Sequence, residues 1–344
     1  MTIMPVVLLV LVLACRAPFL WGAEEEIFPV NAKLETLFTG AVLSEGAAAA
    51  PDGTIYFSDI TFTYTSGMQA GHIMKYDPKT GKTTVFRSPS GMSNGIKFDA
   101  QGRMIVAEGA DYGGRRVTRT DMTTGKSEIL AGLFEGKPLN SPNDLTIDEK
   151  GRIYFSDPRY LGDEPIEQPV MGVYRIDPDR SIHRIITDAG KPNGVCVSPD
   201  QKTLYVVSND NGTTGMFRIP PETPLRKGAM TLLAYNLYSD GTAKLRQTLV
   251  DYSPEDGADG LVADTEGNLY VAIRALSRPG IYVYSPQGKE LARVPTPVLP
   301  TNVGFGRGDE RSTLYVTAGG NLYRIRTKKT GYQLPAQSSR KSGD

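Results

Sequence analysis

Glu45, Asn94, Asn143, Asn193, Asp259 and Asn302 stand 49, 49, 50, 66 and 43 residues apart, each just before an apolar, strand-like run and in most cases followed by glycine. Two carboxylates and four amides offer a cation nothing but oxygen. That is the donor set of hard metals such as Ca²⁺, whereas zinc and copper sites usually draw on His or Cys. The two histidines, His72 and His183, both fall in strands expected in outer hairpins, which argues against a His-ligated site. A repeated turn would also place Asn-Gly and Asp-Gly pairs in register without any metal. Glu45, a poor turn former, favours ligation.

The elements that must position these residues are visible as a repeat. Leu139 to Tyr160, LNSPNDLTIDEKGRIYFSDPRY, joins a polar pair, Asn143-Asp144, to an alternating strand, a turn and a second strand rich in aromatic and β-branched residues. The same turn-and-strand unit returns at Ala50–Ile60, Asp99–Gly109, Asp148–Pro158, Ser198–Asp210, Asp264–Arg274 and, less cleanly, Gly308–Gly320. A second hairpin follows each: His72–Phe86, Arg116–Leu130, Gly172–Ile186, Gly215–Leu225, Gly280–Val294 and Asn321–Gly331. Two hairpins per unit make a four-stranded antiparallel blade, and six units predict an all-β, six-bladed β-propeller with almost no helix. The last unit lacks a fourth strand, which Ala32–Phe38 can supply, closing the ring. Ala229–Tyr252 reads as a longer hairpin extending blade four, and Gly331–Asp344 as a polar tail expected to fray. One domain over residues 27–330 is expected.

Composition narrows the function classes. With 38 basic and 38 acidic side chains the net charge is zero, which argues against nucleic acid or an anionic membrane surface as the main partner. Pro5–Ala14 is apolar but too short to span a bilayer comfortably, and Gly22-Ala23 and three glutamates follow. Residues 1–23 therefore read as a signal peptide, giving a secreted or periplasmic protein. In the alternative, Val12-Leu13-Ala14-Cys15 is a lipobox and Cys15 carries lipid. Cleavage after Cys15 leaves only Cys196, so no intramolecular disulfide forms and Cys196 is a packing thiol. The oligomeric state is open.

On LNSPND, GRIYFSDPRY and EGADYGGRRVTRTD (Glu108 to Asp121), the chain resembles the SMP-30/gluconolactonase family of six-bladed propellers from about Glu45 to Arg326. The resemblance implies one divalent cation, most commonly Ca²⁺ with Zn²⁺ or Mn²⁺ as alternatives, at the channel mouth. It carries the ligand roles onto Glu45, Asn193 and Asp259, with Asn143 near or on the metal. The chain departs from the family pattern after Glu45-Gly46, where Ala47-Ala48-Ala49-Ala50 replaces Gly-Pro and a bulky strand.

The implied activity is hydrolysis of a sugar-type lactone, with Asp259 also the general base. Asp144, Glu108, Arg159, Tyr160, Asn209 and Arg274 are expected at the same mouth, in contact with a polyhydroxylated small molecule. Two alternatives stay open: a calcium-stabilised propeller that binds without catalysis, and a hydrolase of other esters or organophosphates.

Overall fold

The computed structural model describes residues 26–67, 71–213 and 226–335. The expected leader, with Cys15, lies outside them, as do Gly215–Leu225 and the last part of the tail, 336–344.

The described residues form six four-stranded antiparallel sheets and one small ribbon, Leu133–Phe134 with Lys137–Pro138. Each sheet runs outward from an innermost strand: Ser44–Ala49, Ser93–Phe98, Leu145–Ile147, Pro192–Val197, Ala258–Ala263 and Pro300–Phe305 for blades one to six. Blade six takes its outermost strand from Glu35–Thr39, which pairs antiparallel with Asn321–Arg326 and closes the ring. The described helices are a single turn, Thr63–Ser66, and a 3₁₀ turn, Gly308–Glu310, besides a short stretch at residues 26–27. None is long and apolar enough to cross a membrane.

Six hydrophobic clusters lie one in each interface between neighbouring blades. The period-two alternation of a strand explains them, because each sheet is covered on both faces. In blade one, Ala47, Ala49 and Phe57 face blade six, while Ala48, Ala50 and Tyr56 face blade two. The alanine run therefore suits its place: innermost strands crowd toward the axis, and the bulky residues sit one strand further out.

Two expectations are corrected. The outer hairpin of blade four is Met230–Leu237 with Ala243–Asp251, and Met230–Leu237 pairs directly with Thr203–Asn209. The longer hairpin is thus the blade's own third and fourth strands rather than an extension. The tail does not fray at its start. Gly331 bridges to Asp264, the Tyr332 N–H donates to the Ala263 carbonyl at 3.1 Å, and the Tyr332 hydroxyl donates to Glu149 Oε1 at 2.8 Å. Leu334 packs on the cluster between blades two and three, so the folded unit runs to residue 335.

These tail residues cross the end of the channel opposite the polar ring and line a small cavity of about 90 Å³ there, with Ala47, Lys97 and Cys196. Burial pushes the Cys196 thiol up to about 12, as suits an inert packing residue.

Candidate metal centre

The glycines after the ring residues belong to strand packing, not to turns. In five blades the pairing of the innermost strand with the second slips by a bulge at the ring position, as between Glu45 and Ala48 and between Ala258 and Leu261. The bulge re-aims the polar side chain toward the axis. There the neighbouring backbone comes so close that a Cβ on Gly46 would sit 2.1 Å from the Asn94 carbonyl oxygen, and one on Gly194 2.3 Å from that of Asp259. Only glycine permits that approach.

The loop before the ring residue is fixed by the aspartate ending the second strand. In blade one, Asp59 Oδ1 accepts the N–H groups of Val42 at 2.7 Å and Leu43 at 3.2 Å. In blade three, Asp157 accepts those of Asn140 at 2.8 Å and Ser141 at 2.7 Å, holding the segment that carries Asn143. The Asp of the repeated YFSD motif is therefore a positioning residue.

Asp157 is fully buried, and burial, outweighing two N–H donors and two arginines, pushes its carboxyl up to about 7. An unfolded Asp titrates near about 3.9. Between those values the folded state holds a proton that the unfolded state has lost, so stability falls as pH rises through that window, by up to about 1.4 kcal/mol per unit. The expected result is that Asp157→Asn flattens this slope in urea unfolding followed from pH 4 to 8. An unchanged slope contradicts it.

A cavity of about 330 Å³ opens at the ring. Glu45, Asn143, Asn193, Asp259, Tyr160, Asn209 and Arg274 line it, as does Asn94. Arg274 donates from Nη1 to Asp259 Oδ2 at 3.3 Å and to the Pro300 carbonyl at 3.2 Å. Asn193 Nδ2 donates to the Tyr160 hydroxyl at 3.3 Å, which donates to the Asn209 carbonyl at 2.9 Å. Asn209 Nδ2 donates to the Ala258 carbonyl at 2.8 Å, beside Asp259. Lys191 supports the Tyr160 ring from 4.1 Å.

Beneath the cavity Asp144, nearly inaccessible, accepts the Leu145 N–H at 2.9 Å and interacts with the Asn302 side chain. Asn302 is in sequence register but turned against Gly260, and it does not line the cavity. Asp144 likewise lies below the substrate space it was expected to face.

Glu108 and Arg159 are also placed elsewhere. Glu108 is held inside blade two by Arg116 Nε at 2.7 Å and the Thr118 hydroxyl at 2.9 Å, because the adjacent strand captures its carboxylate. Arg159, with no exposed surface, donates to the carbonyls of Asn140 and Glu164, both at 2.9 Å, and fastens the loop after its strand. Leu43, Ile60, Phe62, Leu161, Asn211 and Asp256 complete the cavity. Phe62, Leu161, Asn211 and Asp256 sit in loops outside the repeated units, so periodicity gave no signal for them.

Charge is unbalanced here. Burial, then Asp259 and Asp144, raise the Glu45 carboxyl well above its ordinary value. Burial pushes Asp259 up to about 6 despite Arg274, and burial raises Asp144 as well. Glu45 and Asp259 thus share one arginine, Arg274, while Asp144 beneath them feels Lys97. Asn94 Oδ1, also at the cavity, is buried without a hydrogen-bond partner. Among the described residues no group of three or more His, Cys, Asp or Glu side chains is placed to hold a metal by itself. A cation here must therefore draw on amide oxygens too, and the residues present fit a hard divalent ion.

Known proteins share this architecture. A gluconolactonase of Zymomonas mobilis is 29% identical over 334 residues, covering 89% of this chain and 85% of that protein. The lactonohydrolase oryL of Aspergillus oryzae is 28% identical, covering 80% of this chain and 67% of that protein. The solved structure of a gluconolactonase from Xanthomonas campestris superposes with a TM-score of 0.72 at 28% identity, covering 88% of this chain and 92% of that one. The description "SMP-30/Gluconolactonase/LRE-like region" matches residues 43–320, and the chain belongs to that family.

Proposed function

We propose that the protein hydrolyses lactones at a divalent cation, Ca²⁺ first, held by Glu45, Asn193 and Asp259 with Asn143 adjacent. The observation that carries this reading is the meeting of two buried, mutually repelling carboxylates, Glu45 and Asp259, with amide oxygens at one cavity, above a third buried carboxylate, Asp144. The lactone-opening relatives support the reaction class, and Asn209, Asn211 and Arg274 suit the oxygen-bearing edge of a lactone.

When bound, the cation supplies a Lewis acid beside the ester carbonyl. Arg274 donates to Asp259 Oδ2 and orients the carboxylate, which takes a proton from the attacking water. The water oxygen bonds to the carbonyl carbon, the ring C–O bond breaks, and the proton returns to the leaving alkoxide, giving the hydroxy acid. Asn143 and Asn94 offer amides to the substrate's oxygens, and the Asn193–Tyr160–Asn209 chain holds the wall in place.

The test is a panel of aldonolactones and γ-alkyl lactones, read by acid release, on protein stripped with a chelator and reloaded with Ca²⁺, Mn²⁺ or Zn²⁺. Activity that returns with a metal, Ca²⁺ foremost, is expected. Full activity in the stripped protein overturns the metal's role. Calcium that raises the melting temperature while no lactone is opened supports the purely stabilising alternative.

A further inference from the structure

The cavity has two unlike walls. Over blades four and five it presents Asn209, Asn211, Asp256 and Arg274; over blades one and three it presents Leu43, Ile60, Phe62 and Leu161. The apolar wall is built, not incidental. Asp111 Oδ2 accepts the Thr63 N–H at 2.7 Å, tying the blade-one loop behind Phe62 to the blade-two loop. Glu164 accepts the Tyr112 N–H at 2.7 Å and the Asp111 N–H at 3.2 Å, tying that loop to the one carrying Leu161. The buried Arg159 anchors the third loop through the Glu164 carbonyl. Phe62 itself has φ 44°, a left-handed backbone that a bulky residue adopts at a cost. Three stitched loops thus hold a strained aromatic residue at the cavity edge.

A fully hydroxylated lactone set against that wall would leave hydroxyls without partners, which costs more than the contact returns. A lactone bearing an alkyl arm loses nothing there and gains apolar burial. We propose that the site selects amphiphilic lactones, with the hydrogen-bonding edge on the Asn209 and Arg274 side and an alkyl substituent against Leu43, Ile60, Phe62 and Leu161. This rests on the lactone-hydrolase reading above and adds the substrate class.

The experiment measures kcat/KM on γ-butyrolactone, γ-valerolactone, γ-hexalactone and γ-octalactone with the Ca²⁺-loaded protein. In parallel, isothermal titration measures binding of the matching 5-alkyl-2-pyrrolidinones, cyclic amides that resist ring opening. Both series are expected to improve by roughly fourfold for each of the first added methylenes, the factor set by burying one methylene. Phe62→Ala and Leu161→Ala are expected to lower the octalactone-to-butyrolactone ratio about tenfold, while Phe62→Leu, which keeps the wall apolar, retains it. Lactones opened with no chain-length dependence, or variants with an unchanged ratio, overturn the proposal and leave the hydrolase reading standing. Pyrrolidinones bound with the full dependence by a protein that opens no lactone uphold the apolar wall and overturn the hydrolase reading.

Discussion

Asp259→Ala is expected to fold, to bind little calcium and to open lactones at least about a thousandfold more slowly than the parent. General-base catalysis alone is worth about 10²–10⁴ in rate, and the same side chain is assigned a place on the cation, so both contributions vanish together. The fold is expected to survive because the Asp259 side chain interacts with Arg274, Asn193 and the other ring carboxylates, not with the blade's hydrogen-bond ladder. Asp259→Asn separates the two roles: its amide oxygen still offers a metal contact but takes no proton. The asparagine variant should therefore retain part of the calcium-induced rise in melting temperature while its kcat falls with that of the alanine variant. Near-normal calcium-dependent turnover in either variant sinks the assignment.

The second large effect is on stability, and its sign depends on the cation. With the metal stripped, Glu45, Asp144 and Asp259, all three largely buried, repel one another. Glu45→Gln keeps the shape and removes one of the three charges, so the stripped variant melts at a higher temperature than the stripped parent. Loaded with Ca²⁺ at a hundred times its dissociation constant, the parent gains about 2.7 kcal/mol, whereas the variant, short of one anionic ligand, gains much less. The two melting curves therefore exchange order when calcium is added. A variant equally destabilised with and without calcium contradicts the account, as does one with an undiminished calcium response.

The ring was legible in the sequence because it is periodic. A position that recurs once per blade must recur in space, so Glu45, Asn94, Asn143, Asn193 and Asp259 were brought to one cavity by counting. Asn302 shows the limit of that reasoning: register fixes its backbone, but packing against Gly260 decides where its side chain goes. The glycines beside the ring looked like turn residues because the local pattern is the same. What demands them is a neighbouring blade some fifty residues away, which no local pattern encodes. Glu108 and Arg159 were drawn to the mouth by their place at strand ends, yet partners on an adjacent strand and in a following loop claimed them. Blade four was misread because two apolar stretches competed for one hairpin and spacing could not choose between them. The apolar wall was invisible because Phe62 and Leu161 sit in loops of different lengths, which long-range hydrogen bonds such as those of Asp111 and Glu164 tie together.

The tail crossing the far end of the channel also governs traffic. Tyr332, Gln333 and Leu334 line the cavity there, that cavity shares no lining residue with the one at the ring, and Asp144 and Asn302 lie buried beneath the ring. Among the described residues the space at the ring is thus closed toward the far end, and whatever enters it leaves by the side it came from. Product and incoming substrate cannot pass one another, and a hydroxy acid slow to depart holds the next lactone outside.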